Sequence, residues 1–281
     1  MDITSFFKQK GYPVCEKIGE GGFGEVYRLE QIDKTNLAVK VVKAKSNIAK
    51  YLAREARLSD GLEHPAFPKY YGYYETNAYH YLLMEYVEGE NLETILRGQI
   101  RFAKSDICSF GVTMAEALAY LHRRGYVFRD LKPGNLILDK NGNMRIVDLG
   151  CVLHKTEQEI SKVGSAPFAA PEQLNEGVCH PTCDIYSWGM IMHYLITRLG
   201  QDAEYENIGT ARWNLSIRRR RRDIKEVKEW KKLIKCCLDK EPEKRFQDAE
   251  QLAVMLKDGY PDPEYLICQN IWKNTCRFKQ K

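Results

Sequence analysis

The chain has 281 residues, a formal net charge of +5, 44% hydrophobic residues and 29% charged residues. This length fits one large domain or two smaller lobes, and the composition excludes disordered, collagen-like and fibrous classes. No segment approaches the ~20 consecutive apolar residues of a membrane span, and the amino terminus lacks the pattern of a secretory signal. The nine cysteines have no CxxC spacing for zinc or redox chemistry, so we expect a reducing, cytoplasmic location.

Residues 14–43 contain short β-rich stretches separated by a glycine cluster and a polar turn, which predicts an antiparallel meander. A glycine backbone can approach a polyphosphate closely and offer it amide hydrogens. A strand-like stretch follows the cluster, whereas a dinucleotide-binding loop opens a helix. A plain flexible hairpin is the alternative reading of these glycines, which are Gly19, Gly21, Gly22 and Gly24.

Lys40 lies in the otherwise apolar stretch LAVKVV, where a charged side chain needs a partner. The next segment places Ile48, Leu52 and Glu55 at helical spacing, so Glu55 shares the inward stripe of a helix with apolar neighbours. Pairing these two residues compensates both charges and directs the ammonium group at bound phosphate. A purely structural ion pair is the alternative.

Two more strand-like stretches, residues 71–75 and 79–85, precede the polar sequence VEGEN, where we expect a lobe boundary. The chain is mostly helical from residue 105 onward. It contains one hairpin, LIL and MRIV, in which Asn141 and Gly142 are expected to supply positive φ angles. Residues 184–199 are apolar nearly all round, which predicts a helix buried within the second half.

The sequence FRDLKPGN is followed by DLG, and AAPE lies further along the chain. Together with GEGGFGEV and AVK, these motifs closely resemble the eukaryotic-type protein kinase family. The sequence LKPGN resembles the Ser/Thr branch of that family, in which bacterial-type members are a further possibility. The resemblance runs from about residue 12 to residue 256, with every motif in the expected order.

The residues of these motifs also suit phosphoryl transfer on chemical grounds, because that reaction demands positioning and charge neutralisation more than covalent catalysis. Asp130 is the candidate base that accepts or orients the proton of the attacking hydroxyl. Lys132 can reach the transferring phosphate. Asn135 and Asp148 supply the hard oxygen ligands that Mg²⁺ prefers, with nucleotide phosphates completing its coordination.

The resemblance further implies an adenine site. Its hinge is Glu85 to Val87, with Met84 as the gatekeeper residue beside the base. The residues implied to cover the adenine ring are Val26 and Ala38 above and Ile137 below. Ordinary core packing is the alternative for these apolar residues.

Three positions depart from the family pattern. Phe128 stands where the family usually has His, and Leu149 stands where it usually has Phe. Neither change removes a catalytic group, so the balance between active and inactive states is affected more than the chemistry. Ser59, one turn beyond Glu55, replaces what is often a larger apolar residue, which is expected to loosen that helix or make it depend on a partner.

In the family, an arginine such as Arg129 often receives a phosphate placed on the activation segment. Thr156 and Ser161 are the regulatory candidates, with ordinary exposed hydroxyls as the alternative. Ser165 matches the position of a hydroxyl that contacts the catalytic Asp and Lys. The resemblance also implies a buried ion pair between Glu172 and Arg245, which locks the activation segment to the second lobe.

These observations predict an α+β, two-lobed kinase fold with a small β-rich lobe containing one key helix and a larger, mainly α lobe. ATP and Mg²⁺, or Mn²⁺ as an alternative, are expected in the cleft. The predicted activity is transfer of the γ-phosphoryl group to Ser or Thr of protein substrates, including autophosphorylation. The boundaries are a catalytic domain 1–258, with lobes of about 1–84 and 92–258 and a hinge 85–91, and an extension 259–281 that docks or binds a partner.

The sequence is also compatible with other function classes. A pseudokinase scaffold, or a partner-activated kinase with weak turnover, would use the same fold. A small-molecule kinase shares the same base and metal chemistry, but AAPE and Lys132 favour protein substrates. The run Arg218 to Arg222 is the basis for a nucleic-acid partner, which is disfavoured against a solvated basic face.

Overall fold

The computed structural model divides the described residues into two compact units. The first contains the described residues up to Asn91 together with Leu136–Cys151, and the second contains the other described residues. The α+β architecture that the sequence predicts, with one β-rich part and one helical part, is confirmed. The structure describes residues 3–12, 14–22, 24–30, 36–98, 102, 104–157, 163–177, 180–198 and 230–257.

A five-stranded antiparallel sheet forms the first unit, in the order β1-β2-β3-β5-β4. Successive side chains of β3 point to opposite faces of the sheet, as they do in any strand. Leu37, Val39 and Val41 belong to one buried cluster, and Val42 belongs to the other. The strands are β1 Val14–Gly21, β2 Gly24–Glu30, β3 Asn36–Lys43, β4 Tyr70–Glu75 and β5 Tyr79–Glu85.

One helix covers each face of this sheet. Helix α2, Ala49–Ser59, packs its buried residues against the cluster that contains Val42. Helix α1, Ile3–Gln9, covers the other face, where the ring of Phe6 stacks on Tyr81 with centroids 4.7 Å apart. Helix α1 is not predicted from the sequence, because a seven-residue helix is too short for a clear periodicity.

A second, three-stranded sheet in the first unit has the order β6-β8-β9, with β6 Gly89–Asn91, β8 Leu136–Asp139 and β9 Met144–Ile146. The hairpin β8–β9 therefore groups with the β-rich unit, although the sequence reasoning placed it within the helical part. Gly142 has φ +82°, but Asn141 does not have the positive φ that was expected. The Asp139 carboxylate instead holds the turn by accepting the amides of Asn141 and Asn143.

The second unit is mainly helical and has its core at α6. Trp188 of α6 is fully buried, stacks on Trp230 with centroids 6.3 Å apart, and donates its indole N–H to the Gly111 carbonyl at 2.9 Å. The buried central helix that the sequence predicts is thus present. The helices are α3 Leu92–Arg97, α4 Lys104–Arg123, α5 Pro171–Glu176, α6 Pro181–Arg198, α7 over residues 230–237, and α8 Ala249–Lys257.

Two short strands, β7 Tyr126–Val127 and β10 Leu153–His154, pair within the second unit on either side of the segment that carries the hairpin. A 3-10 turn at Pro133–Asn135 lies in the same unit, ahead of β8. Within the described part of the chain, no helix is long and apolar enough to cross a bilayer.

Candidate active site

The glycine cluster spans the end of β1, the turn and the first residue of β2, and its members have different surroundings. A Cβ atom at Gly21 or Gly22 would meet no atom within 4 Å, so this part of the backbone is open to a ligand. Gly24 has φ +114°, and a Cβ atom there would lie 2.5 Å from the Val41 carbonyl oxygen. Gly24 is therefore required by packing on β3, and Gly21 and Gly22 provide the accessible backbone.

Lys40 lies at the centre of a buried ionic cluster in the first unit. Its Nζ is 2.7 Å from Glu55 Oε2 and 2.6 Å from Asp148 Oδ1. The side chains of Lys40 and Glu55 are only 6% and 3% exposed, so each charge depends on its partner. The structure thus brings together the lysine and the glutamate that the sequence reasoning paired, and adds Asp148 to them.

The charge of Lys40 is secured by this arrangement. Burial by itself lowers the pKa of the Lys40 ammonium, but attraction to Glu55 and Asp148 outweighs burial and raises the pKa above its usual value. Glu55 also accepts the amide of Leu149 through Oε1 at 3.1 Å. One glutamate on α2 therefore fixes both the lysine on β3 and the backbone beside Asp148.

Asp148 has the left-handed φ of +64°, which is uncommon for a residue other than glycine. Its Oδ1 accepts from Lys40 and, at 3.3 Å, from the amide of Gly150. The side chain keeps 31% exposure, in contrast with the buried Glu55. A carboxylate that is held in place yet accessible is suited to bind a divalent cation.

In the second unit, Asp130 lies at the centre of a hydrogen-bonded group. Lys132 Nζ donates to Asp130 Oδ2 at 2.7 Å and to Ser165 Oγ at 2.8 Å. Ser165 in turn donates to Asp130 Oδ1 at 2.9 Å. Both carboxylate oxygens of the 5%-exposed Asp130 are therefore oriented by neighbours, as the resemblance implies for Ser165.

Asn135, on the 3-10 turn, also bonds to Asp130. Its Nδ2 donates to the Asp130 carbonyl at 2.9 Å and approaches Asp130 Oδ2 at 3.4 Å. Because the nitrogen takes these contacts, the amide oxygen Oδ1 is the atom left to ligate a hard cation. Among the described residues, no group of three or more His, Cys, Asp or Glu side chains is arranged to hold a metal by itself.

Asp184 holds the backbone that leads into Asp130. Its carboxylate accepts the amides of Phe128 at 2.7 Å and Arg129 at 2.8 Å, and lies 2.8 Å from His122 Nε2. Arg129 has φ +75°, a conformation that costs energy and persists only where neighbours enforce it. Asp184 lies inside the first turn of α6, so it acts on this loop and is not the cap of its own helix.

The residues implied for an adenine site lie in the first unit. Ala38 pairs with Met84 between β3 and β5, and Ile137 on β8 lies opposite Arg145 on β9. Arg145 binds both oxygens of the Glu85 carboxylate, at 2.8 and 3.1 Å. Val26 lies on β2, and Val87 is buried just beyond β5.

Two residues of this region were missed by the sequence reasoning. Ile18 immediately precedes Gly19 at a break in the β1–β2 register and is 44% exposed, which is unusual for a large apolar side chain in this structure. Its position directly before the glycine cluster was the signal that could have identified it. Arg145 could not have been found in this way, because its partner Glu85 is distant in the chain.

The departures from the family pattern are accommodated by packing. Phe128 is fully buried and Leu149 is 6% exposed, while Ser59 is half-buried at the end of α2. The first two side chains therefore fill core space as apolar residues, and the effect of these changes on the balance between active and inactive states stays a prediction.

The activation-segment residues are only partly described. Glu172 and Arg245 form the implied ion pair, with Arg245 nitrogens 2.7 and 3.0 Å from the two carboxylate oxygens. Exposed Thr156 lies 2.7 Å from His154 Nδ1 through its hydroxyl. Ser161 lies outside the described residues, as do the run Arg218 to Arg222 and the extension 259–281.

Comparison with known proteins gives one family and many relatives. The family model described as "Protein kinase domain" matches residues 12–255. The chain is 31% identical over 195 residues to the serine/threonine-protein kinase RUNKEL of Arabidopsis thaliana, covering 66% of this chain and 14% of that protein. It is 27% identical over 271 residues to the serine/threonine-protein kinase PrkC of Bacillus subtilis, covering 89% of this chain and 40% of that protein.

A third relative is mitogen-activated protein kinase kinase kinase 7 of Drosophila melanogaster, which is 31% identical over 206 residues. That match covers 71% of this chain and 30% of the relative. The chain thus spans less than half the length of these three curated relatives.

Proposed function

Because the chain belongs to the protein kinase domain family, we propose that it is an ATP-dependent serine/threonine protein kinase. The observation that carries the proposal is the buried Lys40, which is ion-paired to both Glu55 and Asp148. An ammonium group whose charge is stabilised by two carboxylates, and which is already buried, can bind nucleotide phosphates without having to be desolvated first. The names of the relatives support protein hydroxyls of Ser and Thr as acceptors.

Asp130 is the proposed base. Its two oxygens are oriented by Lys132 and Ser165, so the carboxylate is fixed where it can accept or orient the proton of the acceptor hydroxyl. Lys132 would stabilise the negative charge on the transferring phosphoryl group. The chain therefore contributes mainly positioning and charge neutralisation, which is what phosphoryl transfer requires.

The family implies ATP and a divalent cation. Such an ion neutralises phosphate charge when bound. The Asp148 carboxylate and the Asn135 amide oxygen fit this need, since both are hard oxygen donors held by hydrogen bonds. We propose Mg²⁺ as the physiological ion, with Mn²⁺ as the alternative.

For the nucleotide, the backbone at Gly21 and Gly22 would contact the phosphates, since space around these glycines is open. The exposed apolar side chain of Ile18, together with Val26 and Ala38, would cover one side of the adenine ring, and Ile137 the other. The hinge from Glu85 to Val87, next to Met84, would bind the edge of the base.

We also propose that residues 1–258 form the catalytic domain and that residues 259–281 dock on it or bind a partner. Thr156 and Ser161 remain the proposed regulatory phosphorylation sites, with Arg129 as a phosphate receptor. A role in signalling and a cytoplasmic location are proposed as well, the latter supported by the nine scattered cysteines, which have no CxxC spacing.

The test is transfer of label from γ-labelled ATP with Mg²⁺, with and without a generic basic protein substrate. Lys40→Met and Asp148→Asn are expected to reduce labelling of Ser and Thr by about 10²-fold or more, since each removes a charged group from the site. Lys257→Met is the matched control, because Lys257 is 59% exposed in an ion pair on α8.

Labelling that persists in both site variants would contradict the proposed roles. An unlabelled wild type whose melting temperature still rises with ATP and Mg²⁺ would instead establish a nucleotide-binding scaffold or a partner-activated kinase.

A further inference from the structure

The side chain of Gln173, on α5, lies between two loops of the second unit and is only 1% exposed. Its Nε2 donates to the Arg129 carbonyl at 2.5 Å and to the Val163 carbonyl at 2.5 Å. A single amide group therefore connects the loop that carries Asp130 to the segment that carries Ser165.

The orientation of this amide is determined by its partners. Backbone carbonyl oxygens can only accept hydrogen bonds, so the NH₂ end of Gln173 must face both of them. The opposite orientation would place Oε1 against two carbonyl oxygens, with no hydrogen between them. Both hydrogens of the amide are thus used, one for each loop.

Each end of the connection lies next to a catalytic group. Arg129 directly precedes Asp130 and has the constrained φ of +75°. Val163 lies two positions before Ser165, whose hydroxyl bonds to Asp130 and accepts from Lys132. A shift at either carbonyl would therefore move a member of the Asp130 group.

The neighbouring residue Gly164 leaves space for the Gln173 side chain. Gly164 has φ +128°, and a Cβ atom there would lie 2.6 Å from Gln173 Nε2 and 2.7 Å from the Ala169 Cβ. Only glycine adopts this conformation without strain and also leaves room for the amide. Gly164 and Gln173 are thus complementary.

We propose that Gln173 is a positioning residue for phosphoryl transfer, which fixes residues 163–165 against the catalytic loop by uncharged hydrogen bonds. Because the link needs no charged partner, it holds Asp130, Lys132 and Ser165 together without a phosphate on the activation segment. This inference rests on the proposed kinase function, and it predicts basal activity in the unphosphorylated protein.

The experiment compares full-length wild type with Gln173→Met, which keeps the side-chain size but removes both donors. Gln9→Met, the same change on an exposed position of α1, is the control. We expect the kcat for a protein substrate to fall about 10- to 100-fold in Gln173→Met, while the KM for ATP changes less than about twofold. Hydrogen exchange should rise in residues 163–170 and stay unchanged in α4.

Gln173→Glu gives a second, independent readout. An ionised carboxylate cannot donate to either carbonyl, whereas a protonated one can donate to one of them. The activity of this variant relative to wild type is therefore expected to rise as the pH is lowered, and the ratio for Gln9→Met should stay constant. Because an ionised carboxylate at this buried position also destabilises the fold, activities are compared only at pH values where circular dichroism shows both variants to be folded.

Wild-type kcat and wild-type exchange in Gln173→Met would overturn the proposal, and so would loss of activity in wild type freed of phosphate by a phosphatase. If the wild type proves to have no kinase activity, the proposed function fails separately. The exchange measurement would still decide the link, because increased exchange at residues 163–170 supports it and unchanged exchange refutes it.

Discussion

Removing the acid of the buried Glu172–Arg245 pair should destabilise the second unit strongly. The Arg245 side chain is fully buried, and two of its nitrogens bind the two Glu172 oxygens at 2.7 and 3.0 Å. Glu172→Gln leaves this cation without a counter-charge. We expect a loss of about 3–5 kcal/mol in the free energy of unfolding, the range for breaking a buried pair from one side.

Arg245 also donates to backbone carbonyls of Asp239 and Thr182, at 2.7 and 3.1 Å, so the guanidinium cannot move into solvent without losing them. Arg245→Met is expected to cost a similar amount. The double variant Glu172→Gln/Arg245→Met should cost about 0.5–3 kcal/mol less than the sum of the single changes, because the two residues share one interaction.

The assay is urea unfolding followed by circular dichroism for the four proteins of this cycle. The conservative change Glu250→Gln serves as the control, because Glu250 is 54% exposed in a surface ion pair and is expected to contribute less than about 1 kcal/mol. A loss below about 1 kcal/mol for Glu172→Gln, or strict additivity in the cycle, would refute the reasoning.

Three further outcomes are expected. Burial raises the pKa of Glu172, but Arg245 outweighs burial and holds the pKa below its ordinary value of 4.5. The stability that the pair contributes is therefore complete above pH 4.5 and is lost as the pH falls through the lowered pKa. The free energy of unfolding should accordingly change less with pH in the double variant than in wild type when both are titrated with acid. Gly24→Ala should cost about 1–3 kcal/mol because of its φ of +114° and its contact with β3, whereas Gly22→Ala should stay within about 0.5 kcal/mol; equal thermal shifts would contradict this. Asp184→Asn should cost about 2–3 kcal/mol in urea and lower kcat, since the amide cannot accept from all three of its N–H partners; a neutral effect would show that the loop is held by other contacts.

Much of the site could be predicted because its signals are local in sequence. Glu55 could be assigned to the inward face of α2 from helical spacing alone, and its pairing with Lys40 followed from the cost of burying either charge unpaired. Asp130, Lys132 and Asn135 lie within one short motif, so their proximity to one another needed no knowledge of the fold.

Other contacts could not be predicted, because their partners are distant in sequence and no periodicity relates them. Arg145 finds Glu85 only when β9 and β5 belong to one unit, and the sequence reasoning had assigned their segments to different parts of the chain. The packing of α1 on the sheet could not be predicted either, since an apolar face of a sheet does not specify which segment covers it.

The amino-acid sequence by itself determined the family, the α+β class and the identity of the charged residues, because each is encoded in motifs or in short-range periodicity. The tertiary structure alone decided which of those residues are held rigid and by what: Asp148 by Lys40, the Arg129 backbone by Asp184, and the two loops around Asp130 by Gln173. The physical reason is that a hydrogen bond depends on distance and direction to within fractions of an ångström, and those are fixed only when segments far apart in the chain have packed together.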